Sequence, residues 1–93
     1  MNKILSTGNL NQAYDVIDVV FAFDSHKEGF FTGLSPDKAF DGVKEKLRNK
    51  CLELAGDAVI NCQFEYRNAL TDGIGKKKQI IEILAYGTVV RFK

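Results

Sequence analysis

Asp57-Ala58-Val59-Ile60-Asn61-Cys62-Gln63-Phe64-Glu65-Tyr66-Arg67 and Ile80-Ile81-Glu82-Ile83-Leu84-Ala85-Tyr86-Gly87-Thr88-Val89-Val90-Arg91-Phe92-Lys93 decide the fold. Both runs are rich in β-branched and aromatic residues, the composition of strands. Between them, Ala69 to Lys78 contains Asp72-Gly73 and Gly75, which supply the backbone angles a hairpin turn needs. In the first run, a period of two places Ala58, Ile60, Cys62, Phe64 and Tyr66 on one face, expected to meet a helix. Val59, Asn61, Gln63, Glu65 and Arg67 then fall on the other. The second run, read as a strand from Gln79 to Phe92, is apolar on both faces, and Gly87 marks a bend or bulge within it.

Working outward, Ser35-Pro36-Asp37 is a helix start. Ser35 can cap free amides, Pro36 suits the first helical position, and Asp37 suits the positive helix end. Phe40, Val43, Leu47, Cys51 and Leu54 follow at spacings of three and four as one apolar stripe. Gly56 is the expected left-handed cap. Upstream, Tyr14 to Phe23 reads as a further strand, ending at the polar loop Asp24-Ser25-His26-Lys27-Glu28-Gly29. The order is strand, helix, strand, strand. The fold class is α+β, with one amphipathic helix on a three-stranded antiparallel or mixed sheet. Residues 1–93 form a single domain. Phe40, Val43, Leu47, Leu54, Ile60, Phe64 and Ile83 are the expected core.

A formal net charge of +1 excludes strong global steering toward nucleic acid or acidic membranes. No run approaches the roughly 18 apolar residues of a membrane span. The first residues lack a signal-peptide apolar core, and two cysteines are too few for a disulfide scaffold. These features favour a cytoplasmic protein.

Leu54-Ala55-Gly56-Asp57-Ala58-Val59-Ile60-Asn61 and Glu82-Ile83-Leu84-Ala85-Tyr86-Gly87-Thr88-Val89-Val90, in that order, carry a resemblance. The chain resembles the YbjQ-like family of small bacterial and archaeal proteins over most of its length. That resemblance implies a two-layer βαββ fold, ring-shaped homo-oligomers, typically pentamers, and a heavy-metal-binding label without an established biochemical function. Many members carry a Gly/Ser- and Arg-containing segment after the first strand. This chain has Asp24-Ser25-His26-Lys27-Glu28-Gly29-Phe30-Phe31 there, so a ligand site built from that segment does not transfer.

The metal label directs attention to Cys51, Cys62 and His26. Cys51 lies on the helix stripe and Cys62 on the inward strand face, so both can enter one interface. Their spacing matches no metal template, and a tetrahedral site needs about four ligands. Buried cysteines more often act as small apolar residues, and His26 more often as a solvated loop residue. Asp24-Ser25-His26 imitates a hydrolase triad, but consecutive residues rarely aim at one another as triads require. Lys76-Lys77-Lys78, with Arg67 and Arg91, offers a small cationic edge, though lysines at a hairpin tip more often protect it. Phe30 and Phe31 suit cover for the sheet end or a subunit contact, and they are also where a small apolar ligand would be sought first.

Val16, Val20, Ile81, Ile83 and Val89 and their out-of-phase neighbours Ile17, Val19, Phe21, Ile80, Leu84 and Val90 populate both sheet faces. One helix shields one face, and the long last strand offers an edge for a neighbouring chain. The sequence therefore reads as a non-enzymatic homo-oligomer that, if it binds anything, binds a metal or small ligand between subunits. The alternatives are a small enzyme whose site is shared between subunits and an assembly module without a ligand.

Overall fold

The apolar stripe becomes α1 (Pro36–Glu53), whose buried residues Ala39, Val43, Leu47 and Cys51 recur every four positions. The computed structural model describes residues 3–27, 36–72 and 77–93. Ser35, Phe30, Phe31, Gly73, Gly75 and Lys76 lie outside them. Around α1 stand β1 (Ile4–Leu5), β2 (Tyr14–Lys27), β3 (Ala58–Asp72) and β4 (Lys77–Phe92), in the sheet order β1-β3-β4-β2. The fold is α+β, one helix packed on a mixed sheet, with β1 parallel to β3 and the other neighbours antiparallel.

The sheet has four strands rather than three. β1 pairs with β3 only at Ile4–Ala58 and Leu5–Val59, too short a stretch to show periodicity. β2 also runs on through Asp24-Ser25-His26-Lys27, in register with Ile83 to Ile80, so the expected polar loop is strand. The edge expected on the last strand is absent too. β4 is central, paired with β3 and β2, and its apolar residues on both faces suit that position. Among the described residues, the unpaired edges belong to β2, to the outer side of β1 and to β3 beyond Cys62.

α1 covers one face, closing a core of Val20, Ala22, Val43, Leu47, Cys51, Val59, Cys62, Ile81, Ile83, Ala85 and Val89. Burying each large aliphatic side chain contributes about 1.5–3 kcal/mol. Phe40, Leu54 and Phe64 pack at its margin, half-buried. Ile60 does not join them. It packs with Ala58 and Val90 on the opposite face, beneath Leu10, Tyr14 and Phe92.

A bulge explains the exchange. Ile60 pairs with Thr88 and Gln63 with Tyr86, so Asn61 and Cys62 together oppose Gly87. Asn61 takes φ 53°, and the extra residue reverses the alternation. Val59, Cys62, Phe64 and Tyr66 therefore share the helix face, while Ala58 and Ile60 turn away from it. Gly87 fits because a Cβ there would lie 2.7 Å from Val59 Cγ1 and 3.2 Å from Cys62 Sγ. The bulge amides find partners in the N-terminal segment: Asn61 N–H donates to Gly8 O at 3.0 Å and Cys62 N–H to Ser6 O at 2.9 Å. A second register shift, between Val16 and Asp18, interrupts the β2–β4 ladder.

The helix ends in a Schellman motif, but not on the expected residue. Gly56 N–H donates to Cys51 O at 2.9 Å and Ala55 N–H to Leu52 O at 3.0 Å. The left-handed residue is thus Ala55, at φ 56°. Gly56 is needed for space: a Cβ there would run into Val89 Cγ1 and stand 3.1 Å from Cys51 Sγ. Arg91 Nε then donates to Ala55 O at 3.1 Å, satisfying an end carbonyl.

Candidate functional site

Among the described residues, α1 covers one face and Leu10 one end of the other, and the remaining sheet surface stands open. Register assigns its rows: Gln63, Tyr86 and Phe21; Glu65, Leu84 and Phe23; Arg67, Glu82 and Ser25. Val19 lies beside Thr88 on the same face. The β2 residues Val19, Phe21 and Phe23 are more than half exposed, and Leu84 is 38% exposed. Phe21 and Tyr86 lean together, ring centroids 6.1 Å apart. Phe23, Glu65, Tyr66, Arg67, Glu82 and Leu84 line a shallow groove of about 300 Å³. At its rim Arg67 Nε donates to Glu82 Oε1 at 2.8 Å. The apolar part is a cross-strand stripe of the kind that binds another surface.

The edge of β2 has a pattern of its own. Val19 N–H donates to Asp18 Oδ1 at 2.8 Å, and Ser25 N–H to Asp24 Oδ1 at 3.0 Å. Phe23 O accepts from Lys46 Nζ at 2.7 Å. Odd-numbered residues from Val19 to Ser25 therefore turn their backbone groups away from β4. Among the described residues, the amide and carbonyl of Phe21, the amide of Phe23 and the carbonyl of Val19 have no partner. Beside this edge runs a channel. Lys46, Asn49, Lys50 and Glu53 of α1 form its wall toward Phe21 and Phe23, and Lys50, Glu53 and Leu54 toward Val19.

The metal candidates do not assemble within one chain. Cys51 and Cys62 are free, buried thiols in the helix-side core. Burial pushes both above the ordinary thiol value; nearby Lys3 opposes the rise at Cys51, and a hydrogen bond from the Ser6 backbone opposes it at Cys62. Cys62 Sγ lies 3.6 Å from Val59 O. The backbone of His26 pairs with Ile81, whereas Cys62 belongs to the bulge opposite Gly87. Six residues of strand separate those positions, about 20 Å. Among the described residues, no three His, Cys, Asp or Glu side chains gather to hold an ion.

The imitation triad is also dispersed by the strand. Asp24 turns toward α1, beside Gly42 and 3.4 Å from Lys46 Nζ, while Ser25 faces the open side. The cationic edge does not form around the arginines: Arg67 is paired with Glu82, and Arg91 caps the helix at the other end of β4. Sequence reasoning missed Lys46, Asp18 and Phe23 as edge residues. Phe21-Ala22-Phe23 was the available signal, an alternation placing both rings on one face.

No family model matches the chain, and no curated protein matches it. Among solved structures, it is similar to the crystal structure of a protein of unknown function from Pediococcus pentosaceus, described as belonging to the DUF74 family. The TM-score is 0.74 at 25% identity, with 98% of each chain covered. The two share one fold end to end. No helix among the described residues is long and apolar enough to cross a membrane.

Proposed function

We propose that the chain is a cytoplasmic subunit of a ring-like homo-oligomer, five subunits as the YbjQ-like resemblance implies. The reading rests on one observation: Val19, Phe21, Phe23 and Leu84 form a solvent-exposed stripe across β2 and β4 on a sheet already folded around its own core. Nothing in the fold requires these residues to be apolar there, whereas a contact between subunits does. Tyr66 and Leu70 add exposed apolar surface on β3, where the strand continues past β1 with a free edge. Light scattering at micromolar concentration tests the reading. A particle of several times 10.4 kDa is expected, and a stable 10.4 kDa monomer overturns it.

A metal or small ligand held between subunits remains part of the proposal. Any site using His26 with Cys62 needs the buried Cys62 thiol uncovered, since it is 2% exposed and stands about 20 Å from His26 along the sheet. Metal analysis of untagged protein tests this. Stoichiometric zinc or copper that disappears on Cys51→Ala/Cys62→Ala supports it; metal-free assembled protein leaves a pure assembly module.

A further inference from the structure

We infer that consecutive subunits join head to tail through a parallel ladder, in which the outer edge of β2 pairs with the free edge of β3 in the next copy. Phe21 lies between the neighbour's Tyr66 and Asn68. The inference rests on the ring proposed above and names its junction. A ring of this kind needs two different surfaces on each copy, each meeting the other. The β2 edge offers Val19 C=O, Phe21 N–H, Phe21 C=O and Phe23 N–H. On β3, Cys62 N–H already points outward, to Ser6 O at 2.9 Å. Alternation turns the backbone of Phe64, Tyr66 and Asn68 outward as well, and among the described residues those groups have no partner. The outer side of β1 is a poorer match. It is two residues long, and Arg48 Nε already donates to Lys3 O at 3.3 Å.

Direction and face agree. β2 and β3 both run antiparallel to β4, so they run the same way. Rotation about a ring axis keeps that sense, and the neighbour's β3 arrives parallel to β2. In a parallel ladder, residues that bond one another carry side chains on opposite faces. Phe21 stands on the open face and Tyr66 on the helix face, so α1 of every copy falls on one side of the joined sheet. Four bonds result. The neighbour's Tyr66 N–H meets Val19 O, and Phe21 N–H meets Tyr66 O. The neighbour's Asn68 N–H meets Phe21 O, and Phe23 N–H meets Asn68 O. Asp18 on the Val19 amide and Lys46 on the Phe23 carbonyl close the ladder at its two ends.

Closure selects the register. Phe21 and Gln63 flank Tyr86 within one chain, so setting Phe21 opposite the neighbour's Arg67 offsets each copy by 67 − 63 = 4 residues. Across the three strands β3, β4 and β2, that offset tilts the strands by about 43°, within the roughly 35–45° usual for closed sheets. An offset of two residues gives about 25° and one of six about 54°. The two-residue offset also drives the start of β2 into the neighbour's Ser6 and Gly8, which hold the amides of Cys62 and Asn61. The tilt is set by one repeat and is the same in a ring of five.

Side chains fit this register. Tyr66 is 61% exposed although it packs edge-on to Phe40, ring centroids 6.2 Å apart. The ladder carries it into the adjoining copy's channel beside Val20, where Lys50 and Glu53 form the wall. On the open face the neighbour's Arg67 stands beside Phe21, an arginine–aromatic pair. Asp18 stands opposite the neighbour's Phe64 and Asp24 opposite its Leu70, so no like charges oppose.

Engineered cysteines read the junction directly. In the double variant F21C/R67C, the two positions stand about 4.8 Å apart across the junction, within disulfide reach, and about 16 Å apart within one chain. Mild oxidation should convert most of this protein to covalent multimers, with the link between positions 21 and 67 mapped by peptide mass spectrometry. F21C alone and R67C alone should stay at 10.4 kDa on denaturing gels. F21C/E65C, two residues out of register, should crosslink at least tenfold more slowly. Self-crosslinking of F21C, or F21C/E65C reacting as fast as F21C/R67C, overturns this junction. So does F21C/R67C that stays uncrosslinked while light scattering shows an oligomer. Each of these leaves self-association standing, whereas a monomer by light scattering sinks both.

Discussion

At the scale of single residues, the helix terminus concentrates the strain. Ala55 holds φ 56° with its side chain exposed, a conformation that costs an L-residue about 1–2 kcal/mol and glycine little. Ala55→Gly should raise stability by about 0.5–1 kcal/mol, less than the full relief because glycine also loosens the unfolded chain. Urea denaturation should show a higher midpoint at unchanged slope; an unchanged midpoint would refute the strain. Leu47 illustrates the opposite case, fully buried between helix and sheet. Leu47→Ala should cost about 2–5 kcal/mol through lost contacts and a cavity, and a loss under about 0.5 kcal/mol would contradict its placement. The buried thiols add a pH dependence. Their folded values are raised above the ordinary 9.0, so their contribution is intact below that pH. It is lost as pH rises through the folded values. Denaturation midpoints should therefore fall more steeply above that pH than those of Cys51→Ala/Cys62→Ala, whose residual slope reflects the other groups.

At the scale of elements, legibility followed periodicity. The α1 stripe, the hairpin strands and the two-faced final strand were readable because each repeats a pattern over many residues. β1 was not, because Ile4 and Leu5 make no pattern, and β1 gains its place from pairing with β3. The polar end of β2 was not, because Asp24 and Ser25 satisfy local backbone and side-chain partners while remaining in a strand. The Asn61–Cys62 bulge was the costliest omission. One extra residue moved Val59 into the core and Ile60 out of it, although asparagine is among the few residues at ease with positive φ. The edge site was legible only in part, as the apolar phase of Val19 and Phe21; Asp18 and Asp24 adjoin it on β2, whereas Lys46 comes from α1, distant in sequence. The bulge makes a sharp prediction because Asn61 is exposed and packing is not at issue. Asn61→Gly should be neutral or slightly stabilising. Asn61→Val should cost about 1–3 kcal/mol, since a β-branched residue is an outlier at this φ. Equal thermal midpoints for the two variants would remove the bulge conformation as the cause.

At the scale of the whole molecule, the two faces of one sheet differ in cover. α1 is 18 residues long, about 27 Å, whereas the molecule extends 56 Å. The helix therefore roofs about half of one face, and among the described residues the N-terminal segment covers one end of the other. What remains, Phe21, Phe23 and Leu84 above all, is apolar without being core. Its replacement should separate assembly from folding. Phe23→Thr/Leu84→Thr keeps strand propensity on the open face and leaves every helix-side contact intact. Phe23 is 51% exposed and Leu84 38%, so covering their remaining surface contributes about 2–3 kcal/mol per contact, on the order of 30- to 150-fold in dissociation constant. The double variant should run as a smaller particle at low micromolar concentration. Its circular dichroism and the hydrogen-exchange protection of Val43, Leu47, Ile83 and Val89 should be unchanged. If particle size stays constant, assembly uses other surfaces; if protection collapses with size, the open face belongs to the core and the separation drawn here is wrong.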